Sequence, residues 1–330
     1  MSSLRFVFFQ GFILIAACAP APPLPEPVPI PIDTADSPGP ITHVSNDAPI
    51  PQNASAKLTS DEKNETENAT PATSPSYLEY RYFPTAKEAL LDIISTTQPR
   101  VIGFGEYHSQ TGHDVTSALS HFSSELLPAI SKVTSDIVVE AMVTEGDCIA
   151  LQEQVTSEVK EDTQRPEETE DEVTILFNRA RAHGVFPHFL TMTCQDHQGI
   201  YGGSEVDYEK LLRLIGTKLL DKTTDVMNSR ASEHRKESRP LVAVYGGAIH
   251  NDVNPQKEWR AYSFGPRMKK KVPDGKYIEI DLIVPEIAKD IPFVQEAEWF
   301  PLFKDKVSPE KTLLIKKSDS EFLLVFPGSL

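Results

Sequence analysis

The chain has 330 residues and a formal net charge of −16, from 48 acidic and 32 basic residues. A nucleic-acid partner needs clustered Lys and Arg against its phosphates, and the basic runs "RMKKK" and "EHRKESR" are short and typical of a solvated loop and a helix end. The composition therefore argues against nucleic-acid binding.

The first residues have the order of an export signal. Arg5 precedes an apolar run, 6–14, that is too short to span a bilayer, and small residues lead to Cys18. The order Ile-Ala-Ala-Cys resembles a bacterial lipobox, in which the cysteine is lipidated. We expect residues 1–17 to be a lipoprotein signal peptide and Cys18 to anchor the protein to the membrane of the bacterial cell envelope. Ala19 permits sorting to the outer membrane, and a signal peptide without a lipid anchor is the alternative.

Residues 18–76 differ in composition from the rest of the chain. They are rich in Pro, Ser, Thr, Asn and acidic residues and contain no aromatic residue. Such a segment buries too little apolar surface to offset its chain entropy. We expect a disordered tether, and then one domain over residues 77–330.

Strands and helices alternate in the first part of that domain. Thr85 and Glu88 predict the capped start of a first helix. Beyond it, the apolar patterns predict, in chain order, strand 100–104, a helix within 111–131, strand 136–142, an acidic surface loop at 158–172, helix 173–183, strand 186–194, helix 205–235 and strand 240–247. The tail is β-rich, with strands at 276–284, 311–317 and 321–326 and a hairpin between the last two.

This alternation of continuously apolar strands with helices is typical of an α/β fold. We expect an open, mostly parallel sheet with helices on both faces and a β-rich C-terminal extension along one edge.

Titratable residues follow several of these strands. Glu106 and His108 end the first strand, Glu140 lies within the second, and His250 follows the fourth. Ligands of open parallel sheets bind beyond the carboxyl ends of the strands. We therefore predict that Glu106, His108, Glu140 and His250 share one site.

The sequences "GEYH" and "GAIH" carry a family resemblance. Two such G-x-x-H motifs with a glutamate ending an intervening strand resemble the Tiki superfamily, which includes ChaN-like haem-binding lipoproteins, erythromycin esterases, and the TraB and Tiki proteins. The form of the first motif, the helix after it and "VVEAM" are most similar to the ChaN branch. This chain departs from ChaN-like proteins in having Ser109 after the first motif and His113-Asp114 beyond it. The resemblance implies haem or iron binding, or metal-dependent hydrolysis.

The residue chemistry allows several uses of this edge. Glu106 and His108, two residues apart, could ligate a divalent metal ion together with His250, with Glu140 orienting one imidazole. They could also act on a small-molecule or peptide substrate as carboxylate and base. The alternative is that each histidine only bonds a backbone carbonyl. The residues we expect to support the site are Gly105, Tyr107, His113, Gly247, Asn251 and Asp252.

Cys148 and Cys194 both lie at or just beyond strand ends. In an oxidising compartment they favour a disulfide, with a soft-metal pair as the alternative.

Three functions stay open. The first is a tethered ChaN-like domain that binds haem or iron. The second is a hydrolase of the esterase or protease type, in which His108 or a bound metal activates water. No Ser or Cys lies in a nucleophile-elbow sequence, which disfavours a covalent triad. The third is a degenerate module that serves only as a tethered interaction domain.

Overall fold

The computed structural model describes residues 13–14, 78–108, 115–163, 168–201, 205–232 and 239–330. Cys18 and the tether therefore lie outside the described residues. Contacts group Met1–Cys18 with Tyr77–Leu330 in one unit and Ala19–Ser76 in another.

The described residues form one nine-stranded sheet. The strands are β1 (Ile13–Leu14), β2 (Glu79–Phe83), β3 (Val101–Glu106), β4 (Thr134–Glu145), β5 (Phe186–Thr193), β6 (Leu241–Gly247), β7 (Tyr277–Ile283), β8 (Thr312–Ser318) and β9 (Glu321–Val325). β1 is a short addition that pairs with β4 at Ala141 and Met142. It lies within the predicted signal peptide, so a chain cleaved before Cys18 would keep the other eight strands.

The centre of the sheet is parallel and its C-terminal side is antiparallel. β5, β4, β6, β3, β7 and β9 follow one another in parallel pairs, whereas β8 and β2 add antiparallel strands at one edge. The predicted fold class is confirmed, and so is the hairpin between the last two strands. The sequence did not predict β2, although Tyr80 and Tyr82 alternate with Glu79 and Arg81, because this run is short and lacks the continuous apolar character of the central strands.

Helices pack around this sheet. They are α1 (Ala86–Thr97), α2 (Ala118–His121), a π-helical turn (Phe122–Leu126), α3 (Leu127–Ile130), α4 (Ile149–Thr163), α5 (Glu168–Ala182), α6 (Cys194–Ile200), α7 (Tyr208–Ser232), α8 (Ala248–Asn251), α9 (Gly265–Lys271), a 3-10 turn (Pro273–Gly275), α10 (Pro285–Ala288), α11 (Pro292–Gln295) and α12 (Phe300–Lys306). α1 begins as predicted, because the Thr85 side chain accepts a hydrogen bond from the Glu88 amide.

The acidic run 158–172 is not the surface loop that its charge predicted. Its described residues belong to α4 and α5. Val155 and Val159, four residues apart, are buried on one face of α4, and Val173 continues the buried side in α5. A single apolar stripe suffices to hold a helix whose other faces are charged. The loop was predicted from the acidic residues, and the buried valines were not recognised as one face of a helix.

Two apolar cores cover the opposite faces of the central strands. Side chains alternate between the faces along each strand, so Phe104 and Tyr245 belong to one core and Val101 and Val244 to the other. Within the described residues, no helix is both long enough and apolar enough to cross a membrane.

Candidate functional site

Glu106 and His108 form a hydrogen-bonded pair at the carboxyl end of β3. Nδ1 of His108 lies 2.5 Å from Oε1 of Glu106, and both side chains are nearly buried. The other carboxylate oxygen, Oε2, accepts a hydrogen bond from the hydroxyl of Tyr245 on β6. Glu106 is therefore held from two sides, and its carboxylate fixes the orientation of the imidazole.

Aromatic packing places the Tyr245 hydroxyl. The Phe122 ring contacts Phe104 at 4.8 Å and Tyr245 at 4.7 Å between ring centroids, and all three rings are buried. The π-helical turn carries Phe122 into this position between β3 and β6. Tyr245 is thus a positioning residue whose side chain has little freedom to leave Glu106.

Glu140 reaches the same edge through an irregularity in β4. The pairing of β4 with β6 ends at Val139 opposite Tyr245, and the register with β5 shifts between Val138 and Met142. Glu140 lies in this interval, and its Oε2 accepts a hydrogen bond of 2.8 Å from the Gly247 amide. Gly246 makes room for it, because a Cβ at that residue would lie 2.4 Å from the same oxygen.

His250 lies in α8, the short helix that follows Gly247. It is 1% exposed, and its Nδ1 donates a 2.9 Å hydrogen bond to the carbonyl oxygen of Tyr262. Its other nitrogen, Nε2, lies 3.7 Å from Oε1 of Glu140. The carbonyl bond uses the hydrogen of Nδ1, so Nε2 is the ring nitrogen that faces Glu140.

Three of the predicted residues converge on Gly247. A Cβ built there would lie 3.2 Å from Nε2 of His108, 3.8 Å from Oε2 of Glu140 and 3.8 Å from Cδ2 of His250. We use the name histidine site for Glu106, His108, Glu140, Tyr245, Gly247 and His250. The structure therefore brings together all four residues that the sequence predicted to share a site.

The arrangement is less suited to a single metal ion held by Glu106, His108 and His250. Both oxygens of Glu106 are engaged, by the imidazole and by the Tyr245 hydroxyl. Among the described residues, the group of three or more potential ligands with atoms within 4.8 Å of one another lies elsewhere, at Asp252, Glu279 and Glu321. Glu106 thus orients His108 instead of standing beside it as a second ligand.

The supporting residues have different positions. Asn251 is buried and its side-chain amide donates to the carbonyl oxygens of Phe104 and Gly247, which ties α8 to β3. Tyr107 is directed away from His108 and packs on Phe293. Burial, with the charge of Asp281 next in weight, raises the pKa of its hydroxyl well above the usual value. Gly105 has no room for a side chain. Asp252 belongs to the separate acidic group, and His113 lies outside the described residues.

The sequence did not identify Tyr245 or the acidic group. In the sequence Tyr245 is one more apolar residue of a buried strand, and only its hydroxyl has a role in the site. Glu279 and Asp281 did give a signal, because two carboxylates at i and i+2 lie on one face of a strand that is otherwise apolar on both sides.

Cys148 and Cys194 are joined by a disulfide, with 5.6 Å between their Cα atoms. The bond links the end of β4 to the start of α6, which follows β5. It therefore fastens two neighbouring strands at the edge that carries the histidine site.

A cavity of about 510 Å³ lies at the opposite edge, where Thr97 and Lys276 precede β3 and β7. It contains none of the predicted site residues.

No family model and no curated protein matches the chain. One solved structure, described as "The structure of the type III effector HopBA1", aligns with 77% of this chain and 99% of its own length, at 10% identity and a TM-score of 0.38. The function therefore has to be inferred from the site itself.

Proposed function

We propose that the domain is a hydrolase in which His108 is the general base that activates water. The observation that carries this proposal is the bond between Glu106 and Nδ1 of His108, together with the Tyr245 hydroxyl on the second carboxylate oxygen. A base oriented by a buried carboxylate is the arrangement that hydrolytic sites use to present Nε2 as a proton acceptor.

The residues that face Nε2 of His108 support this role. Nε2 of His108 is directed at Gly247, where the main chain, Glu140 and His250 meet. A water molecule bonded to Nε2 there would face a substrate that enters beyond the end of β3. The substrate class we propose is a small ester or a peptide.

The proposed proton path is short. His108 takes a proton from water as the water oxygen attacks the carbonyl carbon, and it returns the proton to the leaving group. Glu106 stays ionised and stabilises the imidazolium through Nδ1–H, and Tyr245 keeps the carboxylate in place. Each of these steps uses side chains of this chain alone.

The test is hydrolysis of p-nitrophenyl acetate and of a mixed peptide library by the purified domain. His108→Ala should lower kcat/KM by about a hundredfold or more, the range of general-base catalysis. His183→Ala is the matched control, because that histidine ends the helix region of α5 away from the histidine site. Hydrolysis that is unchanged in the His108 variant of a folded protein would reject the proposal.

Haem or iron binding, which the ChaN resemblance implies, is the second candidate. One observation favours it: Oε1 of Glu140 is buried, has no hydrogen-bond partner among the described residues, and lies 3.7 Å from Nε2 of His250. A histidine with its Nδ1 on a backbone carbonyl is also a common form of metal ligand. Visible absorbance after addition of haemin or Fe²⁺ separates the candidates, since this binding should depend on His250 and Glu140. A domain that neither hydrolyses nor binds would be the tethered interaction module.

We also propose that the mature protein is anchored through Cys18, which the sequence motif alone supports. Cys18→Ser should release the protein from the membrane fraction and leave the circular dichroism of the domain unchanged. Continued partition of the variant into the detergent phase would contradict the lipid anchor.

A further inference from the structure

Four carboxylates lie together on the face of the sheet opposite Tyr245. Glu279 and Asp281 are two residues apart on β7, Glu321 pairs with Glu279 from β9, and Asp252 follows α8. We call these four residues the carboxylate cluster. Asp252 is partly buried and the other three are buried.

In three of these carboxylates, one oxygen accepts a hydrogen bond from the loop after α8. The Val253 amide donates to Oε2 of Glu279 at 2.6 Å, and the Asn254 amide donates to Oδ1 of Asp252 at 2.8 Å. The Asn254 side chain donates to Oε2 of Glu321 at 2.5 Å. One potential ligand atom from each of the three carboxylates lies within 4.8 Å of the others. The loop after α8 thus fixes these oxygens as a group.

The positive charge that faces the cluster is small. Nζ of Lys317 lies 3.5 Å from Oε1 of Glu321 and 3.8 Å from Oε1 of Glu279, both beyond hydrogen-bond length. Lys317 is the basic side chain that the described contacts place there. One lysine against four carboxylates leaves an excess of negative charge in a buried site, which is unfavourable without a further cation or bound protons.

Asp281 supplies an independent observation. It is 4% exposed and lies two residues from Glu279 on the same face of β7. Its Oδ1 is buried and has no hydrogen-bond partner among the described residues. This oxygen lies over Gly105, where a Cβ would be 2.4 Å away, so the glycine keeps the space open. A buried carboxylate oxygen without a donor, beside three other carboxylates, is a position that a bound cation would stabilise.

We propose that the carboxylate cluster binds a calcium ion, with Asp252, Glu279 and Glu321 as ligands and Asp281 beside them. The donors are all oxygen atoms, which select a hard cation. One potential ligand atom from each of the three carboxylates lies within 4.8 Å of the others, so one ion can approach all three. Calcium is bound by such all-protein oxygen sites, whereas magnesium keeps several of its waters.

The site is separate from the histidine site and does not depend on the proposed hydrolysis. Tb³⁺, which takes the place of calcium, gives a direct readout because Tyr107 and Tyr277 lie close enough to feel the charges of the cluster and can sensitise its luminescence. The experiment titrates the metal-free, full-length protein with Tb³⁺ and then displaces Tb³⁺ with Ca²⁺.

We expect Glu279→Gln and Glu321→Gln to weaken calcium binding about tenfold or more, and Lys317→Met to tighten it, because the lysine competes for the same oxygens. Asp319→Asn is the control, since Asp319 is fully exposed and pairs with Lys316. Its affinity should stay within about twofold of wild type.

Two results would overturn the proposal. One is a folded wild-type protein whose Tb³⁺ luminescence is absent or is not displaced by Ca²⁺. The other is calcium affinity that is unchanged in the Gln variants. Should a Gln variant not fold, Asp252→Asn at the partly exposed ligand carries the same expectation.

Discussion

Glu106 of the histidine site and the carboxylate cluster lie on opposite faces of the sheet and solve the burial of charge in different ways. Glu106 faces one side, where an imidazole and a phenol hydroxyl donate to its two oxygens. Its neighbour Gly105 faces the other side, where Asp281 has an oxygen without a donor. A satisfied carboxylate orients a base, whereas unsatisfied carboxylates attract a cation. In the proposed functions, Glu106 thus serves proton transfer on one face of β3, and Gly105 leaves room for cation binding on the other.

Removing the charge of Glu106 should give the largest loss of activity. Glu106→Gln keeps the shape but lets the His108 ring lose its fixed tautomer, so we expect kcat/KM for p-nitrophenyl acetate to fall about a hundredfold or more. Tyr245→Phe should cost less, about tenfold, because it only loosens Glu106. A Gln variant with at least a third of wild-type activity would show that the pair does not act as base and orienting group.

A methyl group between the two regions tests how closely β3 is packed. In Gly105→Ala the new Cβ would meet Oδ1 of Asp281 at 2.4 Å and the Cα of Ala248 at 2.8 Å. The main chain at Ala248 cannot rotate away as a flexible side chain could. We therefore expect a loss of about 2–3 kcal/mol in the free energy of unfolding, measured by urea denaturation. Gly247→Ala is the comparison, because its nearest contact is a side chain at 3.2 Å. Equal losses in the two variants would contradict this interpretation.

Neutralising Glu279 in the carboxylate cluster should raise the stability of the metal-free protein instead of lowering it. In the absence of calcium, Glu279→Gln removes a buried carboxylate that shares Lys317, at 3.8 Å, with the other acids of the cluster, while the Gln oxygen can still accept from the Val253 amide. We expect the metal-free protein to gain about 1–2 kcal/mol and to lose its stabilisation by calcium. Thermal unfolding with and without millimolar Ca²⁺ measures both changes. Destabilisation of the metal-free variant would mean that the cluster is already balanced.

His197 gives the smallest predicted effect and a contrast with His108. It is buried, and Nε2 contacts the Thr144 hydroxyl at 2.9 Å instead of a carboxylate. Burial lowers its pKa. Below the unfolded value of about 6.5, the unfolded chain binds a proton that the folded protein excludes, so stability is lost as the pH falls.

The expected loss between about pH 7.5 and about pH 5.5 is at most about 1.3 kcal/mol, the limit set by the unfolded pKa of about 6.5. His197→Gln should remove this part of the pH dependence, as followed by urea denaturation at each pH. A pH profile identical to that of wild type would show that His197 does not titrate differently on folding.

The sequence predicted the elements that depend on local pattern. The buried strands, the cap at Thr85 and the hairpin before Glu321 follow from apolar runs, capping chemistry and turn residues. Convergence of His108, Glu140 and His250 also followed, because parallel strands bring their carboxyl ends to one edge. What the sequence could not give depends on contacts between distant strands: the Tyr245 hydroxyl on Glu106 joins residues 139 positions apart, and Glu321 meets Glu279 only through the pairing of β9 with β7.

The edge strand β2 has a consequence for how the domain is made. It is the first strand after residue 77, yet it pairs with β8, so that Tyr80 lies opposite Ile315. During synthesis, β2 therefore has no partner until the chain is made beyond Ser318. Because such distant pairing is slow to form, we infer that the seam between β2 and β8 closes last. A chain interrupted before Thr312 would leave Tyr80 and Tyr82 on an open strand edge, where they invite association with other chains.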